Sequence, residues 1–274
     1  MINNQMFAII KKDLRGMAAN RRMLVTLLAV PAVLTIFIPS VFILTFSFIP
    51  EGDPDLQKLL QLMPSAGIRD TSLKSMIGFM LNYILPTFFL IIPIMASSVM
   101  AAVSFIGEKE KRTLETLLYC PLSLSQIFRA KVLAAFLLSM LVSAASFAVM
   151  ITVLETEALL TAGAMVLPDV KWLLVMLLVS PSFSLIAVTL IVRFSARAQS
   201  VEDAQQGAVF LLLPVILLLV GQFTGILLVS AWILLAIGTV CALTAVLLLK
   251  KSVEKFRYET LLFSSSDADF KTRL

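Results

Sequence analysis

Residues 107–131 read GEKEKRTLETLLYCPLSLSQIFRAK. This is the longest charged interruption between two uninterrupted apolar runs, and its spacing predicts helix, break, helix. Glu108 and Arg112 sit four apart, as do Lys111 and Glu115, so opposite charges share a helix face. Leu114, Leu117 and Leu118 form an apolar patch at i, i+3, i+4 spacing on another face. Pro121 stops that helix, because it has no N–H and biases Cys120 away from helical backbone. Ser123 followed by Gln126 matches a capping box that starts the next helix. A short amphipathic helix (108–120) between two membrane spans has the shape to touch a second protein. An ordinary solvated loop helix fits the same pattern.

The composition around this stretch is that of a multi-pass membrane protein. Of 274 residues, 59% are hydrophobic and 14% charged, and the mean hydropathy is +1.00; soluble domains carry about 25% charge. The net charge of +5 does not point to nucleic acid, because the basic residues flank apolar runs and form no single patch. There is no histidine, which removes the commonest metal ligand and the commonest general base. Cys120 and Cys241 fall in a loop and a span, a placement that suggests neither disulfide nor metal site. The first apolar run is too long for a cleavable signal peptide.

In chain order, residues 1–22 form an amphipathic elbow helix, with Met6, Ile10, Leu14 and Met17 on one face and basic residues mostly elsewhere, suited to a membrane surface. A six-span domain occupies 23–249, with spans at about 23–49, 76–106, 132–154, 172–192, 204–222 and 228–249. The second span exceeds the roughly 30 Å hydrocarbon core at ~1.5 Å per residue, so it must tilt, kink or project, and Pro86 and Pro93 favour kinks. Ser180-Pro181 predicts another in the fourth span. An acidic outer segment, 50–75, holds a short helix candidate at 56–63, and a short outer loop after 154 carries Glu155, Glu157 and Asp169. Ser200 and Asp203 make a second capping box before the fifth span. Gly221–Gly225 is the turn between the last two spans and leaves little room for re-entrant helices. Residues 250–274 form a basic tail whose last ten or so residues read as disordered. Asn82, Ser97 and Gln222 are the polar side chains that could line a pathway, though hydrogen bonding between helices is the commoner use of such residues.

Charge sets the orientation. Only Lys58, Arg69, Lys74 and Lys171, of 22 basic residues, fall in segments on the outer side of this arrangement. The positive-inside rule then places both termini in the cytosol.

The stretch from Glu108 through Thr113, Leu114, Glu115, Leu117 and Leu118 to Pro121 resembles the coupling-helix signature of type-2 ABC exporter permeases, with Arg112 where glycine is common. Ser195 to Gln206, with Pro214, is similar to the entry into the fifth span in sodium-extrusion and related permeases. The resemblance implies an all-α permease subunit of an exporter, two copies of a separate ABC ATPase, and a second permease chain, either identical or a sister. It implies a cytoplasmic membrane of bacterial or archaeal type. It assigns ATPase contact to Glu108, Glu110, Arg112, Thr113, Leu114, Glu115, Leu117, Leu118 and Pro121, and a secondary cytosolic contact to Arg197, Ser200, Glu202 and Asp203.

The sequence contains no phosphate loop and no LSGGQ-type signature. No cofactor is therefore expected on this chain, and ATP and Mg are expected on the partner. Span cores carry no Asp, Glu, Lys or Arg, which disfavours an ion-coupled carrier. A non-transporting membrane scaffold is the alternative, and an intramembrane enzyme lacks the usual base for a serine nucleophile. Sodium, a peptide, a drug or a lipid all fit an uncharged pathway.

Overall fold

The structure, a computed structural model, describes residues 4–48, 73–110, 123–163, 165–195, 200–207, 209–223 and 231–271. All regular structure among them is helical. The helix expected at 56–63 lies outside the described residues; of the turn expected at 221–225, residues 221–223 are still helical in the segment Val209–Phe223 and 224–225 lie outside the described residues.

Helix α1 (Asn4–Ala19) buries Met6, Ile9, Ile10 and Met17 and leaves Lys11, Lys12 and Arg15 exposed. The face is the one that the apolar spacing predicts, with Ile9 added. The chain then runs through α2 (Arg21–Ala32) and α3 (Ile38–Ser47). The second span is α4 (Leu73–Phe79), α5 (Leu85–Phe89) and α6 (Ile91–Glu110). Next come α7 (Leu124–Ala162), α8 (Lys171–Leu174) and α9 (Ser180–Ser195), and the short α10 (Val201–Gln206). Helices α11 (Val209–Phe223) and α12 (Ala231–Lys271) complete the chain.

Six apolar segments are long enough to cross a membrane: Leu27–Ser47, Leu73–Glu108, Ser125–Ala162, Lys171–Ser195, Asp203–Gln222 and Trp232–Glu254. The second is the centre of the bundle, with 78% of its apolar stretch buried, against 24% and 17% for the fifth and sixth. It packs on α7 and α9, while α1 lies against α7. A ring cluster ties these elements together: Trp172 stands 5.5 Å from Phe89 and 5.0 Å from Phe147.

Proline shapes the spans in a regular way. Wide turns occupy Val33–Phe37, Met80–Ile84 and Val175–Val179, and each ends two residues before a proline: Pro39, Pro86 and Pro181. The amide after each segment reaches back five residues: Ile38 to Val33, Leu85 to Met80, Ser180 to Val175. A proline ring presses on the carbonyl four residues earlier, and widening the preceding turn relieves that pressure. Before Pro93 the helix instead breaks at Leu90, whose amide donates to the Thr87 carbonyl at 3.2 Å.

Two boundaries differ from expectation. Helix α7 runs to Ala162, about two turns past 154, so Glu155 and Glu157 are helical and not in a loop. It stops where Gly163 takes the left-handed conformation, φ 62°, which favours glycine. At 39 residues it spans about 58 Å, well beyond the hydrocarbon core. The tail expected to be disordered continues α12 as helix to Lys271. No glycine or proline follows Gly238, so nothing in the chain interrupts helix propagation.

Candidate functional site

Most of the segment assigned to ATPase contact, including Arg112, Thr113, Leu114, Glu115, Leu117, Leu118 and Pro121, lies outside the described residues. Its two ends are described. Glu110 is the last residue of α6, and Ser123 caps α7 by the expected reciprocal box: its hydroxyl accepts from the Gln126 amide, and its own amide donates to the Gln126 side chain at 3.0 Å.

Two residues before the end of α6, Glu108 is not solvated but buried. Its Oε1 accepts from Lys12 Nζ of α1 at 2.7 Å, and its Oε2 lies 2.7 Å from Lys131 Nζ of α7. Lys131 has only 3% of its side chain exposed. It also donates to the Ser104 carbonyl, stands 3.9 Å from Asp13 Oδ2, and lies over the Phe105 ring at 5.4 Å. The Ser104 hydroxyl donates to the same Asp13 oxygen at 2.6 Å. Two cations and two carboxylates from three elements thus form one neutral cluster. An ammonium removed from water costs several kcal/mol unless paired and hydrogen-bonded, and this site supplies both conditions.

Neither Lys131 nor Asp13 stands out as a site residue in the sequence. A signal is there nonetheless: Asp13 is the one acid in the first fifty residues, and Lys131 opens an apolar run.

The second contact group is partly visible. Ser200 caps α10, with the Asp203 amide donating to its hydroxyl at 3.1 Å, and Asp203 is exposed. Glu202 is on α10, and Arg197 lies outside the described residues. Helix α10 packs against α6, the same helix that carries Glu108. Arg193 Nε donates to the Ser252 hydroxyl at 3.3 Å, joining α9 to α12 at this end.

The residues proposed for a pathway sit elsewhere. Asn82 Oδ1 accepts from the Asp169 amide at 2.8 Å, and Gln222 Nε2 donates to the Tyr83 carbonyl at 3.1 Å. Both meet at the wide turn before Pro86. That turn leaves the Leu81 carbonyl without a helical donor: Leu85, which would serve it in an α-helix, donates to Met80, and Pro86 has no N–H to offer. Trp172 Nε1 fills the gap at 3.1 Å. Ser97, fully buried, donates to its own helix at Ile94, 3.1 Å away, about 22 Å along the helix from Asn82.

Among the described residues no group of three or more His, Cys, Asp or Glu side chains is arranged to hold a metal ion. The arrangement instead joins helices by fixed charges, and its chemistry is mechanical.

A protein-family model described as ABC-2 family transporter protein matches residues 67–239. No curated protein is a significant match. The matched region takes in the second to fifth membrane-crossing segments and enters the sixth, and it contains Glu108, Lys131 and the capped start of α10. With more than half of its length matched and six membrane-crossing segments in place, the chain belongs to the ABC-2 transporter family.

Proposed function

We propose that this permease works as an exporter subunit, moving its cargo with ATP that a separate ATPase hydrolyses. The ATPase docks on residues 108–121, where Glu110, Arg112 and Glu115 supply charge pairing and Leu114, Leu117 and Leu118 fill an apolar groove. Arg197, Ser200, Glu202 and Asp203 add a second contact. Two permease chains, identical or sisters, enclose the pathway with two ATPases, which hold the ATP and Mg, in the cytoplasmic membrane of a bacterium or archaeon. Sodium is the cargo that the likeness to sodium-extrusion permeases suggests.

One observation supports this reading above others. At the start of the segment Glu108 is buried and paired with Lys131 of α7, so a push received there reaches the second and third spans together. Closure of the ATPases then biases two arrangements of those spans by differential contact.

Substitution tests it. Glu115→Arg replaces an i, i+4 attraction by repulsion of about 0.2–0.5 kcal/mol, too little to unfold the chain. Across a partly desolvated interface, an uncompensated charge costs about 2–5 kcal/mol, a loss of more than tenfold in docking. Co-purification of the ATPase should fall accordingly in detergent extracts. Normal recovery with Glu115→Arg, Leu117→Asp and Leu118→Asp would remove the segment from the docking surface.

A further inference from the structure

The family model begins at residue 67, so α1 lies outside the matched region, yet α1 supplies half the charges of the buried cluster. Asp13 has a side chain only 7% exposed. Four residues after Ile9 and four before Met17, it falls on the buried apolar face of α1, where a charge needs a partner. Here it turns inward, accepts from Ser104 of α6, and lies beside Lys131 of α7. Lys12, one residue earlier, reaches Glu108 from its exposed position. Helix α1 is thereby held to α6 and α7 at the same level, on either side of the segment 111–122.

From this geometry we propose that Lys131 is a positioning residue that makes α1 and the two helices flanking residues 111–122, α6 and α7, one unit. The carboxylate of Asp13 is the part of α1 that it holds. If the segment receives the ATPase, as proposed above, α1 moves with it and carries the displacement to the membrane surface. A purely anchoring role for α1 would need its apolar face alone, from Met6 to Met17, and would leave the charge of Asp13 without mechanical effect.

The test is amide hydrogen exchange on the full chain in lipid nanodiscs, with no ATPase present. Asp13→Asn keeps the size of the side chain and an acceptor for Ser104, and removes the charge facing Lys131. The proposal expects residues 127–135 of α7, a different helix, to exchange about tenfold faster in this variant. Lys131→Met should in return speed exchange in α1, since coupling between two sites is reciprocal. Asp13→Glu, which restores the charge, should return α7 to within about twofold of the parent rate. Acceleration confined to α1 in Asp13→Asn, or an Asp13→Glu variant that behaves like Asp13→Asn, would overturn the proposal. Because the measurement needs no partner, its failure leaves the docking reading standing, and normal docking by Glu115→Arg leaves the latch standing.

Discussion

Replacing Lys131 by methionine is the sharpest test of whether the buried cluster holds the bundle together. Methionine matches the length of the lysine stem, so the packing against Phe105 is kept and the charge is lost. In the parent protein, Lys131 Nζ stands 2.7 Å from Glu108 and 3.9 Å from Asp13, with 3% of its side chain exposed. Without it Asp13 keeps only the Ser104 hydroxyl among the contacts described, and Glu108 keeps Lys12, whose side chain is 59% exposed. Removing one member of a buried ion pair costs about 3–5 kcal/mol, because an uncompensated charge remains. Removing a member of an exposed pair costs about 0–1 kcal/mol, so Lys12→Met is the internal control. Unfolding by SDS in mixed micelles, followed by tryptophan fluorescence, should separate the two variants by at least about 2 kcal/mol. The triple variant Lys131→Met, Glu108→Gln, Asp13→Asn removes the carboxylate charges facing the lysine as well and should recover most of the loss. A Lys131→Met cost below about 1 kcal/mol, equal to that of Lys12→Met, would refute the argument that burial makes this cluster matter.

Two further outcomes are expected. In a background lacking Cys120 and Cys241, single cysteines at Ser65 and Thr161 should react with an impermeant thiol reagent on intact cells, and one at Ser265 should not; labelling at Ser265 alone would invert the orientation. Trp172→Phe leaves the Leu81 carbonyl without its donor and should destabilise the bundle by about 1–3 kcal/mol in the same SDS titration. The loss should shrink when Pro86→Ala supplies a backbone N–H; an unchanged loss would mean that ring packing, not the indole hydrogen bond, is what Trp172 provides.

What could be read from the sequence was local. The Ser123–Gln126 and Ser200–Asp203 caps form as their spacing predicts, because a capping box involves four consecutive residues and little else. The apolar face of α1 is likewise a matter of period. Pro86 and Pro181 mark where spans are interrupted, but the form, a wide turn two residues upstream, depends on which neighbours satisfy the freed carbonyls. Trp172, far away in sequence, decides that at Leu81. The cluster at Lys131 lies beyond such reading for the same reason. The period of α1 puts Asp13 on its apolar face, beside Ile9, Ile10 and Met17, but only the packing of three helices makes Asp13, Glu108 and Lys131 partners. The polar composition of the tail points to disorder, whereas the helix continues to Lys271 through a stretch with no glycine or proline after Gly238.

The composition of the cluster also bears on how the protein is made. The ribosome delivers Lys12 and Asp13 first and Glu108, the partner of Lys12, next; Lys131, the lysine described beside Asp13, arrives with the third span. Until then the Asp13 carboxylate must stay hydrated at the membrane surface, because burying it early would cost several kcal/mol. Helix α1 therefore cannot settle into its final packing against the second span while the nascent chain ends before residue 131. Arrival of Lys131 removes that obstacle at once and gives the assembling bundle a checkpoint written in the order of synthesis.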